Sequence, residues 1–337
     1  MMGTVSSRLS EPRVSIAMAT YNGVAYLGEQ LASLQRQTRL PDELVVHDDA
    51  SSDATAVLVR QIAARAPFNI RLVQGTRNLG VNSAFQSALA RCTGDVIFFC
   101  DQDDIWHPEK IAASLAALEN APGAGFVFCD AVQFDSISGE PGMSLWQLAR
   151  FTLRRRCAFR RDPLGVMLTG GNFVYGMAAA FRRASIEPFL PITSDAAGMT
   201  HDTWFALHAA ALGVPGVALP RQLVHYRRHP AQTSLMAGGG VTADTQAIMR
   251  KAQTRAAGLI AGLRDVRRNV QREADKLGHD ASGSLALFDR KIALLETRES
   301  LRRERSLGGA LRGLVNPDYW RFASGPASVL RDQRGMW

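Results

Sequence analysis

Four short apolar runs, at residues 14–19, 44–46, 70–73 and 96–100, alternate with stretches of helical apolar spacing, and each run stops abruptly at a polar cluster. The first runs into Thr20-Tyr21-Asn22-Gly23 and the second into His47-Asp48-Asp49-Ala50-Ser51-Ser52-Asp53. The third leads to Arg77-Asn78-Leu79-Gly80, and the fourth ends on Asp101-Gln102-Asp103-Asp104, followed by Ile105-Trp106. Leu27, Leu31 and Leu34 predict a helix over 25–36, and Ser52 or Asp53 is placed to cap a second over 54–65. A third is expected over 82–91. Strand, helix, strand repeated in this way implies right-handed crossovers and a mostly parallel sheet covered on both faces, an α/β fold. Such sheets bind ligands outside the carboxyl ends of their strands, and all four polar clusters fall on that edge.

Asp101, Asp103 and Asp104 crowd three carboxylates at the mouth of an apolar strand. Crowded like charges are costly unless a proton or cation compensates, and hard oxygen ligands at i and i+2 suit Mg²⁺ or Mn²⁺ better than zinc. A solvated acidic turn is the alternative for a D-x-D taken alone. Neither G-x-G-x-x-G nor G-x-x-x-x-G-K-[ST] is present, so a dinucleotide fold or P-loop is disfavoured. A nucleotide held at this edge therefore needs its phosphates neutralised by the metal and by Arg77.

Farther on, Pro108 opens a helix to residue 119, and 126–129 and 172–181 read as buried strands. Between them, from 139 to 162, periodicity weakens while Arg150, Arg154, Arg155, Arg156, Arg160 and Arg161 accumulate, either a basic segment facing a phosphate-bearing acceptor or a solvated helix face. His201-Asp202-Thr203-Trp204 begins a helix closed by Gly213, so Asp202 is a cap or a general base. Short strands at 216–219 and 223–226 precede Arg227, Arg228 and His229, cations suited to phosphate oxygens.

Gly238-Gly239-Gly240 marks a linker. Ala252, Ala256, Leu259, Leu263, Val266 and Val270, then Leu285, Phe288, Ile292 and Leu295, outline two amphipathic helices that face the main domain or a second copy of the chain. Residues 241–337 hold 18 basic and 11 acidic side chains, most of the net charge of +8, which a solvated face, a membrane surface or nucleic acid would each accommodate. Tyr319, Trp320 and Trp337 beside arginines suit an interfacial contact. The four cysteines lack C-x-x-C spacing, and neither a leader-like apolar segment nor a membrane-spanning run is evident, so a reducing, cytoplasmic setting with peripheral membrane contact is expected.

Taken together and in order, these motifs, with Tyr226-Arg227-Arg228-His229 completing the set, resemble the inverting family 2 glycosyltransferases of GT-A fold over residues 14–234. The rhamnosyltransferase branch of bacterial surface-polysaccharide assembly is most similar. The resemblance implies a glycosyltransferase domain at 13–236, its nucleotide half 13–104 and acceptor half 105–236, after a polar tail (1–12) and before a basic helical extension (241–337). It implies that Thr20, Tyr21, Asn22, Asp48, Asp49, Arg77 and Asp101 surround a dTDP- or UDP-sugar. Asp103 with Asp101 and His229 would hold Mn²⁺ or Mg²⁺, and Asp202 would be the base. Asp104, Trp106, His201, Trp204, Arg227 and Arg228 would meet the sugar or a saccharide or lipid-linked saccharide acceptor. His107 and Thr203 depart from the branch, leaving open a UDP-hexose or UDP-N-acetylhexosamine donor. A nucleotidyltransferase and a nucleic-acid binder are the other classes weighed. The second is not expected, because the basic extension lacks a recognisable nucleic-acid-binding motif and interleaved aromatics.

Overall fold

The β-branched and aromatic runs pair side by side as β1 (Val14–Thr20), β2 (Glu43–Asp48), β3 (Asn69–Gln74) and β4 (Val96–Cys100), all parallel, with β1 between β2 and β4. In this computed structural model the described residues are 11–170, 172–193, 198–230, 232, 245–304, 313–323, 328–329 and 332. The helices α1 (Val24–Gln35), α2 (Thr55–Ala63), α3 (Val81–Leu89) and α4 (Lys110–Glu119) connect or follow these strands. The strand order reverses between β1 and β4, and the crevice at their carboxyl ends is the position where such sheets take ligands.

Beyond β4 the sheet continues through β5 (Ile105–Trp106), β6 (Phe126–Asp135), β7 (Pro141–Ser144), β8 (Ala179–Arg182) and β9 (Gly216–Arg228), in the order β3-β2-β1-β4-β8-β6-β9-β5 with β7 on β6. β8 runs antiparallel to both β4 and β6, and only three residues of the expected 172–181 strand, 179–181, fall within it. The two short strands expected at 216–226 are one strand. Pro220 cannot donate to a ladder, and the register against β6 slips after Leu219, which breaks the apparent periodicity without breaking the strand. The stretch without clear periodicity folds into α5 (Leu145–Leu148), α6 (Leu153–Arg161) and α7 (Pro163–Leu168), with Ser144, Thr152 and Asp162 capping their N-termini.

Alternation along β4 serves both faces. Val96, Phe98 and Cys100 join Leu27, Leu31, Leu34 and Ile111 on one side, while Ile97 and Phe99 join Phe85, Phe126 and Phe181 on the other. Each such fully buried side chain contributes about 1.5–3 kcal/mol, so the strand is fixed in register up to its last residue. The second face also receives α8 (His201–Ala211) and the C-terminal helices α9 (Thr245–Leu277) and α10 (Ser282–Glu304). Leu263, Val266, Val270, Leu285, Phe288 and Ile292 lie in the same cluster as Phe205, so the amphipathic stripe is covered by the chain's own core rather than left for a second copy. Gly278, at φ 63°, turns α9 into α10.

Tyr319, on α11 (Pro317–Phe322), is wholly buried with its hydroxyl donating to Asp332, which corrects its expected interfacial role; Trp320 is exposed. Ala252, Trp337 and the glycine linker lie outside the residues whose side chains are described. Among the described residues, no helix is long and apolar enough to cross a membrane.

Candidate active site

The carboxyl ends of β1 and β2 form one hydrogen-bonded unit. Thr20 Oγ1 donates to Asp48 Oδ1 at 2.9 Å, and Ser51 donates to the same carboxylate through its hydroxyl (2.5 Å) and its backbone N–H (3.2 Å). Asn22 takes a left-handed φ of 46°, and its side-chain oxygen accepts the Ser52 N–H at 2.9 Å. Asp49 points the other way. Its oxygens accept the N–H groups of Leu79 (2.9 and 3.0 Å) and Gly80 (2.8 Å), which anchors the loop bearing Arg77 at the start of α3. Arg77 itself is exposed on that loop, facing solvent. Tyr21 is 47% exposed, a ring presented at the crevice rim.

Gln102, which carries no expected role in the sequence, ties the acidic loop to β1. Its amide accepts from the Tyr21 N–H at 2.9 Å and donates to the Tyr21 carbonyl at 3.1 Å. Its place inside the D-Q-D-D cluster was the available signal. The three carboxylates then take different surroundings. Burial, with the charges of Asp103 and Asp202, pushes the Asp101 carboxyl up to about 7. Asp103 Oδ2 lies 3.0 Å from His229 Nε2, and that imidazole packs on Tyr26 at 4.4 Å. Asp104 is fully buried beneath them, one oxygen accepting the Arg227 N–H at 3.1 Å and the other unpartnered; burial and its two acidic neighbours hold its carboxyl well above the usual range.

Asp202 reaches this crevice from the first turn of α8. Oδ2 accepts the Gly176 N–H at 2.8 Å; Oδ1 accepts the Thr203 N–H at 2.6 Å and the Thr200 hydroxyl. Held from both sides, the carboxylate is oriented by two backbone N–H groups and the Thr200 hydroxyl. It is close enough to Asp101 to raise that group's proton affinity, so residues 101 and 202 of the sequence meet in space. His201 turns away from the crevice. Its ring stacks on Phe85 at 3.8 Å, and burial lowers its pKa to about 4.

Three more expected contacts are corrected along with His201. Trp106 is 2% exposed, wedged between Phe98 and the Lys110 ammonium, and Trp204 is 0% exposed with its N–H donating to the Phe189 carbonyl, so both indoles stand behind the crevice. Arg227 is 4% exposed: Nε donates to the Asp103 carbonyl at 2.8 Å, and the guanidinium pairs with Glu29 at 2.9 Å between the rings of Tyr26 and Phe134. It clamps the acidic loop instead of offering charge to phosphate. Glu29, on α1, carried no signal in the sequence. Arg228 is part-buried near Asp135.

Among the described residues, no group of three His, Cys, Asp or Glu side chains is already gathered around a common point. The donor chemistry nevertheless suits a hard divalent cation. Asp101 and Asp103 raise the energy of each other's charge, the crowding that a cation relieves, and His229 already touches one Asp103 oxygen.

The family model for glycosyl transferase family 2 matches residues 15–187. An uncharacterized Mycobacterium tuberculosis protein, Rv1520, is 28% identical over 218 residues, 64% of this chain and 59% of its own length, so the chain spans about three-fifths of that relative. The dTDP-rhamnosyl transferase RfbG of Shigella flexneri is 30% identical over 105 residues, 30% of this chain and 36% of its own. Two solved structures share the fold. S. aureus TarS 1-349 in complex with UDP-GlcNAc has a TM-score of 0.54 at 16% identity, covering 96% of this chain and 93% of that one. The Pyrobaculum calidifontis mannosyltransferase PcManGT in complex with GDP-Man and Mn²⁺ has a TM-score of 0.54 at 20% identity, covering 98% and 88%.

Proposed function

The chain belongs to glycosyl transferase family 2, and on that premise we propose that it transfers a sugar from a nucleoside diphosphate to an acceptor hydroxyl by a single displacement that inverts the anomeric carbon. One observation carries the reading: the carboxylates of Asp101, Asp103 and Asp202 converge on the crevice where the strand order reverses. Asp202, fixed by three hydrogen bonds, accepts the proton of the attacking hydroxyl, a role worth about 10²- to 10⁴-fold in rate. Departure of the diphosphate needs counter-charge. Arg77 supplies part of it; Asp101, Asp103 and His229 would hold Mn²⁺ or Mg²⁺, which when bound neutralises charge on the leaving oxygens.

On this reading the nucleotide half is 13–104, with Thr20, Tyr21, Asn22 and the Asp48–Ser51 unit around base and ribose. The acceptor half is 105–236, and 241–337 is an extension that shares its core. A dTDP-rhamnose donor draws support from the Shigella relative, and a UDP-N-acetylhexosamine draws support from the sugar nucleotide held by TarS. The acceptor is a saccharide or lipid-linked saccharide of polysaccharide assembly, met at the cytoplasmic face of the membrane through peripheral contact.

The reading is tested in two measurements. Thermal shifts across dTDP-, UDP- and GDP-sugars with Mn²⁺ name the donor, because a ligand that binds only the native state raises its apparent stability. Asp202→Asn is then expected to keep the donor's affinity and to lose at least 10²-fold in turnover. Full turnover in that variant would remove Asp202 from the mechanism.

A further inference from the structure

Outside the crevice, the turn between α5 and α6 and the middle of β6 and β9 border an open cavity of about 470 Å³. Its wall is made by Asp130, Trp146, Gln147, Arg150, Phe151 and Arg156. Among the described residues, two N–H donors in that wall have no partner. Trp146 is 4% exposed and its indole Nε1 has no hydrogen-bond partner; Arg156 Nε is likewise buried without one, its guanidinium 5.6 Å over the Trp146 ring. A buried donor left unmatched is expensive, and folded proteins rarely keep two side by side without something to accept from them.

The nearby carboxylate does not answer them. Asp130 Oδ1 accepts the backbone N–H groups of Ala131 at 2.8 Å and Trp146 at 3.0 Å, which holds the indole in place and engages that oxygen. Arg150 completes the rim in an unusual backbone state. It follows α5 with φ 51°, in the left-handed region where glycine is the ordinary occupant. Behind the cavity, α6 carries five arginines and no acidic residue. The wall is therefore rich in donors and positive in field, the complement of a ligand rich in acceptor oxygens and negative in charge.

Tyr175 places this cavity beside the proposed base. It immediately precedes Gly176, whose N–H donates to Asp202 Oδ2 at 2.8 Å, and among the described residues its buried hydroxyl has no hydrogen-bond partner; Asp202 and Asp130 both act on that phenol. We propose that the cavity receives an oxyanion, phosphate or carboxylate, carried by the acceptor, with Trp146 Nε1 and Arg156 Nε as its donors and Arg150 at the rim. The proposal rests on the glycosyl-transfer reading above, which it deepens by assigning the acceptor an anionic group. On this proposal the charge holds one end of the acceptor saccharide while a hydroxyl at the other is offered to Asp202.

The test uses the full chain, three nucleotides and four cavity probes, all read by calorimetry. UDP, dTDP and GDP with Mn²⁺ report the nucleotide site. Glucose 1-phosphate, glucuronate and neutral glucose, added to protein saturated with whichever nucleotide binds, report the cavity; inorganic phosphate is the fourth. At least one anionic sugar is expected to bind 10-fold or more tightly than glucose, and the phosphate and carboxylate arms name the source of the charge. Arg156→Gln should weaken it at least 10-fold. Trp146→Phe keeps the ring and removes only the N–H, and should weaken it 3- to 10-fold, with nucleotide affinity in both variants within 2-fold of the parent. Glucose binding as well as the anions, or Arg156→Gln with unchanged anion affinity beside intact nucleotide binding, overturns the oxyanion site alone. Binding of the anions by a protein that takes none of the nucleotides would sink the glycosyl-transfer reading and leave the site standing.

Discussion

Asp101→Asn should stabilise the protein in the absence of divalent metal, and the size of the gain can be worked from the site. The carboxyl is pushed up to about 7 by burial and by the charges of Asp103 and Asp202, against 3.8 in the unfolded chain. Keeping such a group ionised in the folded protein costs at most about 4 kcal/mol. Asp101 is only part-buried and shares its field with two neighbours, so roughly half of that, ~2 kcal/mol, is the expected gain. In a chain of this size it raises the melting temperature by about 3 °C.

The sign fixes the pH dependence. For a carboxyl with a raised pKa the penalty is absent below the unfolded value and complete above the folded one, so the difference between variant and parent opens between pH 4 and 7 and is flat beyond. Thermal unfolding in EDTA at pH 4, 5.5 and 8 measures it, with pH effects common to both proteins cancelling. Adding Mn²⁺ should then stabilise the parent more than Asp101→Asn, because the cation relieves a repulsion the variant has already lost. A variant that melts at or below the parent in EDTA at pH 8, or one whose advantage is the same at every pH, would refute the crowding of these carboxylates.

Three further expectations concern the scaffold. His201 and His208 are buried neutral, their pKa values lowered by burial to about 4 and about 3; stability present above pH 6.5 is therefore lost as pH falls. Between pH 7 and 5 the pair should cost up to about 4 kcal/mol in urea unfolding, and His201→Phe, which keeps the stack on Phe85, should halve the slope. Lys110 is fully buried with its ammonium unpartnered except by the Trp106 and Phe98 rings, and burial lowers its pKa to about 8. Lys110→Met should add about 1–2 kcal/mol at pH 7, a gain that shrinks as pH rises through 8 and the parent sheds its own penalty. Arg150→Gly relieves a left-handed residue and should raise stability by about 0.5–1 kcal/mol while weakening anion binding, the two effects separable by unfolding and calorimetry.

What the sequence made legible was position along the sheet's edge, and the physics explains why. In a parallel α/β sheet every strand end faces the same way, so polar clusters that stop apolar runs gather in space whatever their separation; Thr20, Asp48, Asp49 and Asp101 needed no further information to be placed together. Asp202 was legible as a cap or a base and not as which, because both roles put a carboxylate in the first turn of a helix. Its nearness to Asp101 is what favours the base in the proposed reading. Direction was illegible. Trp106 lies three residues beyond Asp103, and Arg227 two before His229, yet both side chains turn inward, one into the Lys110 and Phe98 packing and the other onto Glu29.

A motif names residues at an edge; which face each presents depends on partners brought by other strands, here β9 against β5 and α1 against both. The same limit hid the cavity. Residues 145–161 form two short helices joined at a left-handed arginine, too brief to show a period, and their arginines looked alike until the fold buried Nε of Arg156 and left Arg154, Arg160 and Arg161 in solvent. That division changes where the anion chemistry sits. With Arg227 committed to the acidic loop, the proposed reading leaves counter-charge for anions to Arg77 and to the α6 arginines. On that reading a diphosphate and an anionic acceptor are held by separate arginines, and Asp202 serves as the base for the hydroxyl that joins them.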